Sequence, residues 1–168
     1  MAWVLLGLVD WLRLVLASAP LTVPVAAALA VGLTACATSP PPTSGVSPQA
    51  GSSVVAVARD MLGTPYQYGG ASPAGFDCSG LVRYAYQRVG DPVPRTVAQQ
   101  LRAVERLPRS GLAPGDLVFF ELDDKPAHVG IYVGDQSFIH APSSGGVVHR
   151  SRLDRRYWRE RFIVGGRL

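Results

Sequence analysis

The spacing of apolar residues changes three times along the chain. Residues 14–35 are an uncharged, almost wholly apolar run behind Arg13, the arrangement of an export signal. Residues 38–45 then hold only Thr, Ser, Pro and Gly, too polar and proline-rich to pack, which predicts an extended tether. Beyond it Val54, Ala58, Met61 and Leu62 recur at helical spacing, with Ser52 or Ser53 as the cap and Gly63 and Pro65 as stop signals. Leu81, Val82, Ala85 and Val89 form a second helical stripe, which starts near Cys78 and stops at Gly90 and Pro92. A short third helix is predicted over residues 97–104. After that the period shortens. Residues 117–122, 129–133, 137–141, 147–149 and 162–164 are short runs rich in β-branched and aromatic side chains, bounded by Gly, Pro or Asp. Helices first and strands afterwards predict an α+β fold with an antiparallel sheet.

These segments divide the 168 residues into an export signal over 1–36, a Pro/Ser/Thr/Gly tether over 37–51 and one folded domain over 52–168. The 48% hydrophobic content is inflated by the leader, and the rest has an ordinary soluble composition. The formal charge of +4 is carried by arginine, since Lys125 is the only lysine, and it suits anionic partners such as wall peptides or phospholipid headgroups. No basic stretch is interleaved with aromatics, so nucleic acid is not expected as a partner. Of the two cysteines, Cys36 closes the leader in Leu33-Thr34-Ala35-Cys36. Small residues before that cysteine resemble a bacterial lipobox, in which the cysteine is acylated and becomes the mature N-terminus. A plain membrane anchor, or a signal cleaved elsewhere, are the competing readings. The expectation is an exported, lipid-anchored monomer on the envelope side of a membrane, its domain held off the surface by the tether.

Cys78 sits differently, at the start of the second helix and at the edge of its buried stripe. A cysteine at a helix N-terminus near a histidine can have its pKa lowered from ~8.5 to about 3.5–7.5, and the thiolate is the attacking form. Asp77 opposes that charge and reads as the helix cap, its own charge taken up by backbone N–H groups. On composition alone Cys78 is more often a small buried hydrophobe. Ahead of it, residues 63–70 form a glycine-rich aromatic loop that lets backbone and a tyrosine hydroxyl approach closely.

His128 opens the strand Ala127-His128-Val129-Gly130-Ile131-Tyr132-Val133. Alternation puts His128, Gly130 and Tyr132 on one face and Val129, Ile131 and Val133 on the other. Beside Cys78 it is a candidate base, with His140 as the group that fixes its tautomer. Parity constrains that pairing. With a simple two-residue turn at Gly134-Asp135, His140 would lie opposite Val129 and point away from His128. Both histidines on one face therefore require an odd-numbered loop or a β-bulge, with Gly134 a site for either. His149 and Asp116 receive no catalytic role, and Asp116 reads as a turn residue. Residues 150–161 carry six arginines, which are either a solvated face or a dock for anionic wall or lipid. Neither metal-ligand spacing nor a phosphate-loop context is present, so no cofactor is expected.

Several of these pieces, taken together, resemble the NlpC-type cell-wall peptidases of the papain-like clan. They are residues 63–70, Phe76-Asp77-Cys78-Ser79-Gly80-Leu81-Val82, Pro94-Arg95-Thr96, residues 114–120, His128-Val129-Gly130-Ile131-Tyr132 and Phe138-Ile139-His140-Ala141. The resemblance spans nearly the whole domain. It implies a papain-like α+β fold, with N-terminal helices and the nucleophile at a helix N-terminus packed on the sheet. It also implies Cys78, His128 and His140 as a catalytic triad, with the Tyr66 hydroxyl beside the nucleophile. The implied substrate is the stem peptide of peptidoglycan, near the link between γ-D-glutamate and a diamino acid. An amidase or acyltransferase on the same fold, or an inactive wall-binding lipoprotein, are the alternatives.

Overall fold

The computed structural model describes residues 48–168 except 124 and 145, with side chains from Gly51 onward apart from Lys125 and Pro126. The export signal, Cys36 and most of the tether lie outside the described residues. Helix α1, Pro48–Asp60, begins within the stretch read as tether, so Ser52 and Ser53 sit inside the helix rather than at its cap. Its apolar stripe, Val54, Val55 and Ala58, is buried. A two-strand ribbon follows, β1 (Ala71–Ser72) with β2 (Gly75–Phe76), and leads directly into α2, Cys78–Arg88. Leu81, Val82 and Ala85 on α2 are wholly buried, as their spacing predicts. Helix α3, Val97–Ala103, opens with a capping box in which Thr96 and Gln99 satisfy each other's backbone N–H.

Among the described residues six antiparallel strands make the main sheet: β3 (Glu105–Leu107), β4 (Leu117–Leu122), β5 (Lys125–Gly134), β6 (Ser137–His140), β7 (His149–Arg152) and β8 (Phe162–Arg167). Their spatial order is β3-β8-β4-β5-β6-β7. The last strand therefore runs beside β4 in the interior of the sheet. A short helix α4, Arg156–Arg161, joins β7 to β8.

The sheet has two unlike faces. Leu117, Phe119, Val129, Ile131, Val133 and Ile139 pack against α1 and α2 in one core. Val118, Phe120, Tyr132 and Phe138 form a smaller aromatic cluster on the other face with Leu153, Leu112, Trp158 and Phe162. At the end of β8, Arg167 makes a two-pronged ion pair with the buried Asp116 (2.8 and 2.7 Å), whose carboxylate also accepts from the Ala113 N–H at 2.7 Å. Asp116 is thus the turn residue expected, with a structural counterion that the sequence did not announce.

The β5–β6 hairpin resolves the parity question. Its turn is the two-residue Asp135-Gln136, both with left-handed φ (51° and 55°), closed by a Gly134–Ser137 pair. The ladder then slips between Tyr132 and Gly134, leaving Val133 as a bulge, so that Tyr132 faces Phe138 and Ile131 faces Ile139. Continuing that register sets His140 opposite Gly130, on the face of His128. Without the bulge His140 would share a face with Ile131.

Candidate active site

Cys78 is the first residue of α2, and Asp77 is its N-cap, accepting from the Gly80 N–H at 2.7 Å. Backbone donors take only part of the Asp77 charge. Arg95 grips both carboxylate oxygens at 2.9 and 2.6 Å and also reaches the Ser79 hydroxyl at 3.0 Å. Burial pushes the Asp77 carboxyl up, but Arg95, the Gly80 N–H and Ser79 together outweigh it and hold it below the usual carboxylate range. The fork of Arg95 also fastens the loop before α2, since Asp77 accepts from Gly69 N–H at 3.1 Å and donates its own N–H to Gly70 O at 3.0 Å.

Burial pushes the Cys78 thiol up, the backbone N–H of Val129 opposes it, and Asp77 adds to the rise. This corrects the expectation of a depressed thiol: desolvation outweighs the helix N-terminus, so the resting sulfur is a thiol. The Val129 contact also locates the sulfur. β6 ends at His140, one residue before the position opposite Val129, and the thiol lies at the stretch of β5 that adjoins His128. Tyr66 packs at the same edge of the core. Its hydroxyl pKa is raised by burial and then by Cys78 and Asp77, so it stays a donor at neutral pH. The Tyr66 N–H donates to Gly146 O at 2.8 Å, which ties the aromatic loop to the segment before β7.

On β5 and β6 the two histidines meet at 2.8 Å, Nε2 of His128 to Nδ1 of His140. Both are buried, at 5% and 0% exposure. Gly130 makes this possible: a Cβ there would come within 2.6 Å of the Phe138 ring and 3.3 Å of the His140 Cβ. Burial, with a smaller contribution from His149, pushes the His128 pKa down to about 4. Burial, His128 and His149 push His140 down further. Both imidazoles are therefore neutral at pH 7, and the resting site pairs a thiol with a neutral base. Trp158 from α4 stacks over His128, centroids 5.5 Å apart at 27°, and meets His140 edge-on at 4.9 Å. Among the described residues no group of three or more His, Cys, Asp or Glu side chains is arranged to hold a metal ion.

The NlpC/P60 family profile matches residues 63–167, the span that contains every one of these side chains. The chain belongs to the NlpC/P60 family. Murein DD-endopeptidase MepH of Escherichia coli (strain K12) is 45% identical over 113 residues, covering 64% of this chain and 41% of MepH. The probable endopeptidase NlpC of the same organism is 39% identical over 137 residues, covering 77% of this chain and 87% of that protein. The crystal structure of the NlpC/p60 domain of the peptidoglycan hydrolase SagA superposes with a TM-score of 0.63 at 33% identity, covering 70% of this chain and 98% of that one. The chain spans less than half the length of MepH.

The sequence reading grouped Cys78, Tyr66, His128 and His140 in one site, and of these the structure brings His128 and His140 into direct contact. That reading quoted Arg95 only within the Pro94-Arg95-Thr96 motif and gave it no partner, although Asp77 beside the cysteine called for a counterion. It missed Trp158, hidden among arginines. His149 was set aside, yet it pairs directly with His140 across β6 and β7, ring centroids 4.7 Å apart.

Proposed function

We propose that this chain is a peptidoglycan endopeptidase that hydrolyses stem-peptide bonds by acyl transfer through Cys78. The observation that carries the reading is the 2.8 Å bond between His128 and His140 beside a cysteine at a helix N-terminus. Because His140 engages Nε2 of His128, Nδ1 is the nitrogen free to take the thiol proton. Sulfur attacks the carbonyl as that proton leaves. The tetrahedral oxyanion is met by the Cys78 backbone N–H and the Tyr66 hydroxyl, each a donor worth about 3–4 kcal/mol in such a site. The His128 imidazolium then protonates the departing amine, and water activated by the same ring releases the acyl group. His140 holds the ring in place, the task a carboxylate performs in other triads.

The bond is near the γ-D-glutamyl–diamino acid link, or alternatively in the cross-link between stem peptides; similarity to MepH, a named DD-endopeptidase, supports the second. Acylation at Cys36 would tether the domain to a membrane facing the wall. Incubating the purified full chain in detergent with isolated wall and weighing the fragments by mass spectrometry tests the activity and the bond, and the mass of the chain's own N-terminus tests acylation at Cys36. Stem-peptide cleavage that disappears in Cys78→Ala is the expected result. Release of whole stem peptides from sugar would indicate an amidase instead, and cleavage retained in Cys78→Ala would end the cysteine mechanism.

A further inference from the structure

His140 has two ring nitrogens, and the second is also engaged. Its Nε2 lies 2.9 Å from the Ser151 hydroxyl. Ser151 stands on β7 opposite Phe138, two positions from the His140–His149 pair, and so shares the face of the histidines. We propose that Ser151 is a positioning residue that selects the tautomer of His140 and, through it, that of His128. Which tautomer is held, and the effect on rate, rest on the peptidase reading; that Ser151 holds His140 in a single tautomer does not.

For Nδ1 of His128 to accept from the thiol it must be bare, so the neutral ring carries its proton on Nε2 and donates toward His140. Nδ1 of His140 must then be bare as well, which puts the His140 proton on Nε2, pointing at Ser151. A neutral imidazole has one donor and one acceptor nitrogen, and a hydroxyl can accept. If Ser151 donated instead, Nδ1 of His140 would hold the proton and donate to His128. His128 would then be forced to carry its own proton on Nδ1, facing the sulfur, and could not act as a base. Two neighbours limit the competition. His149 turns its Nδ1 to the Val147 carbonyl at 3.1 Å, and Trp158 covers the rings with aromatic surface. Ser151 is half-exposed, so its own proton can be given to water.

Two measurements on the full chain in detergent test this: imidazole 15N–1H correlation spectra at neutral pH, and wall hydrolysis kinetics. Wild type should show both His128 and His140 protonated on Nε2. Ser151→Ala should mix the tautomers and lower kcat about tenfold with little change in KM, the factor one neutral hydrogen bond carries when it orders a ring. Ser151→Thr keeps a hydroxyl and should restore both spectrum and kcat. Unchanged tautomers and unchanged kcat in Ser151→Ala would overturn the proposal, as would equal losses in Ala and Thr. If wild type cleaves no wall at all, the peptidase reading fails, and the spectra still decide the role of Ser151.

Discussion

Odd-numbered and even-numbered residues of β5 meet different neighbours. Val129, Ile131 and Val133 are buried against the helices among aliphatic side chains, and their contribution is area removed from water. His128, Gly130 and Tyr132 face an aromatic surface where shape and proton position matter more than area. On the proposed mechanism one strand serves stability on one side and chemistry on the other, with adjacent residues belonging to different tasks. Substitutions on the two faces should therefore separate cleanly.

The largest effect is expected on the chemical face. His128→Ala should lower kcat/KM for wall cleavage by about a thousandfold, the range of a lost general base, while the melting transition survives. His140→Asn should keep more activity than His140→Ala, because an amide can still accept from Nε2. On the other face, Ile131→Ala should cost about 2–5 kcal/mol of unfolding free energy and leave kcat per folded molecule nearly unchanged. Denaturant titration beside single-turnover kinetics distinguishes the two. A similar loss of both quantities in both variants would dissolve the distinction.

Acid sharpens the same contrast. His128 is held near pKa 4 by burial, below the ~6.5 of an unfolded chain, so between these values the unfolded state binds the proton that the folded state refuses. Stability is complete above about pH 6.5 and falls toward pH 4, by up to about 3 kcal/mol from His128 alone, with His140 adding in the same direction. Denaturant midpoints from pH 7 to pH 4 should show this slope, and His128→Gln should reduce it while His140 keeps part of it. Smallest is Gly130→Ala, expected to cost about 1–3 kcal/mol through overpacking against Phe138 and His140. Its activity should fall by more than its stability explains, because the Cβ enters on the histidine side.

How far these features could be read from sequence follows from how local they are. The α2 stripe, the Asp77 cap, all six residues of β4 and the alternation of β5 depend on near neighbours, and the structure carries them as spaced. The need for an odd loop or a bulge was also legible, since it follows from parity alone, although only the fold shows that Val133 bulges beside a two-residue turn. Non-local partners were not legible. Arg95 stands 18 residues from Asp77, Arg167 stands 51 from Asp116, and the stacking of Trp158 on His128 needs α4, a six-residue helix read only as an arginine-rich run. The thiol pKa was misjudged for a related reason. A helix N-terminus can be read from nearby residues, whereas the desolvation that outweighs it comes from the assembled core.

The bulge at Val133 also limits how this hairpin can change length over evolutionary time. Between Gly130 and His140, any insertion or deletion that shifts the pairing by one residue turns His140 toward the helices, into the aliphatic core. Removing Val133 itself is different in kind: it would leave Gly134 following Tyr132 in an unbroken ladder, with His140 still opposite Gly130. Relatives of this chain that keep the two-residue turn in a regular ladder are therefore expected to be one residue shorter at this point, whereas relatives of equal length without the bulge are expected to carry a three-residue loop.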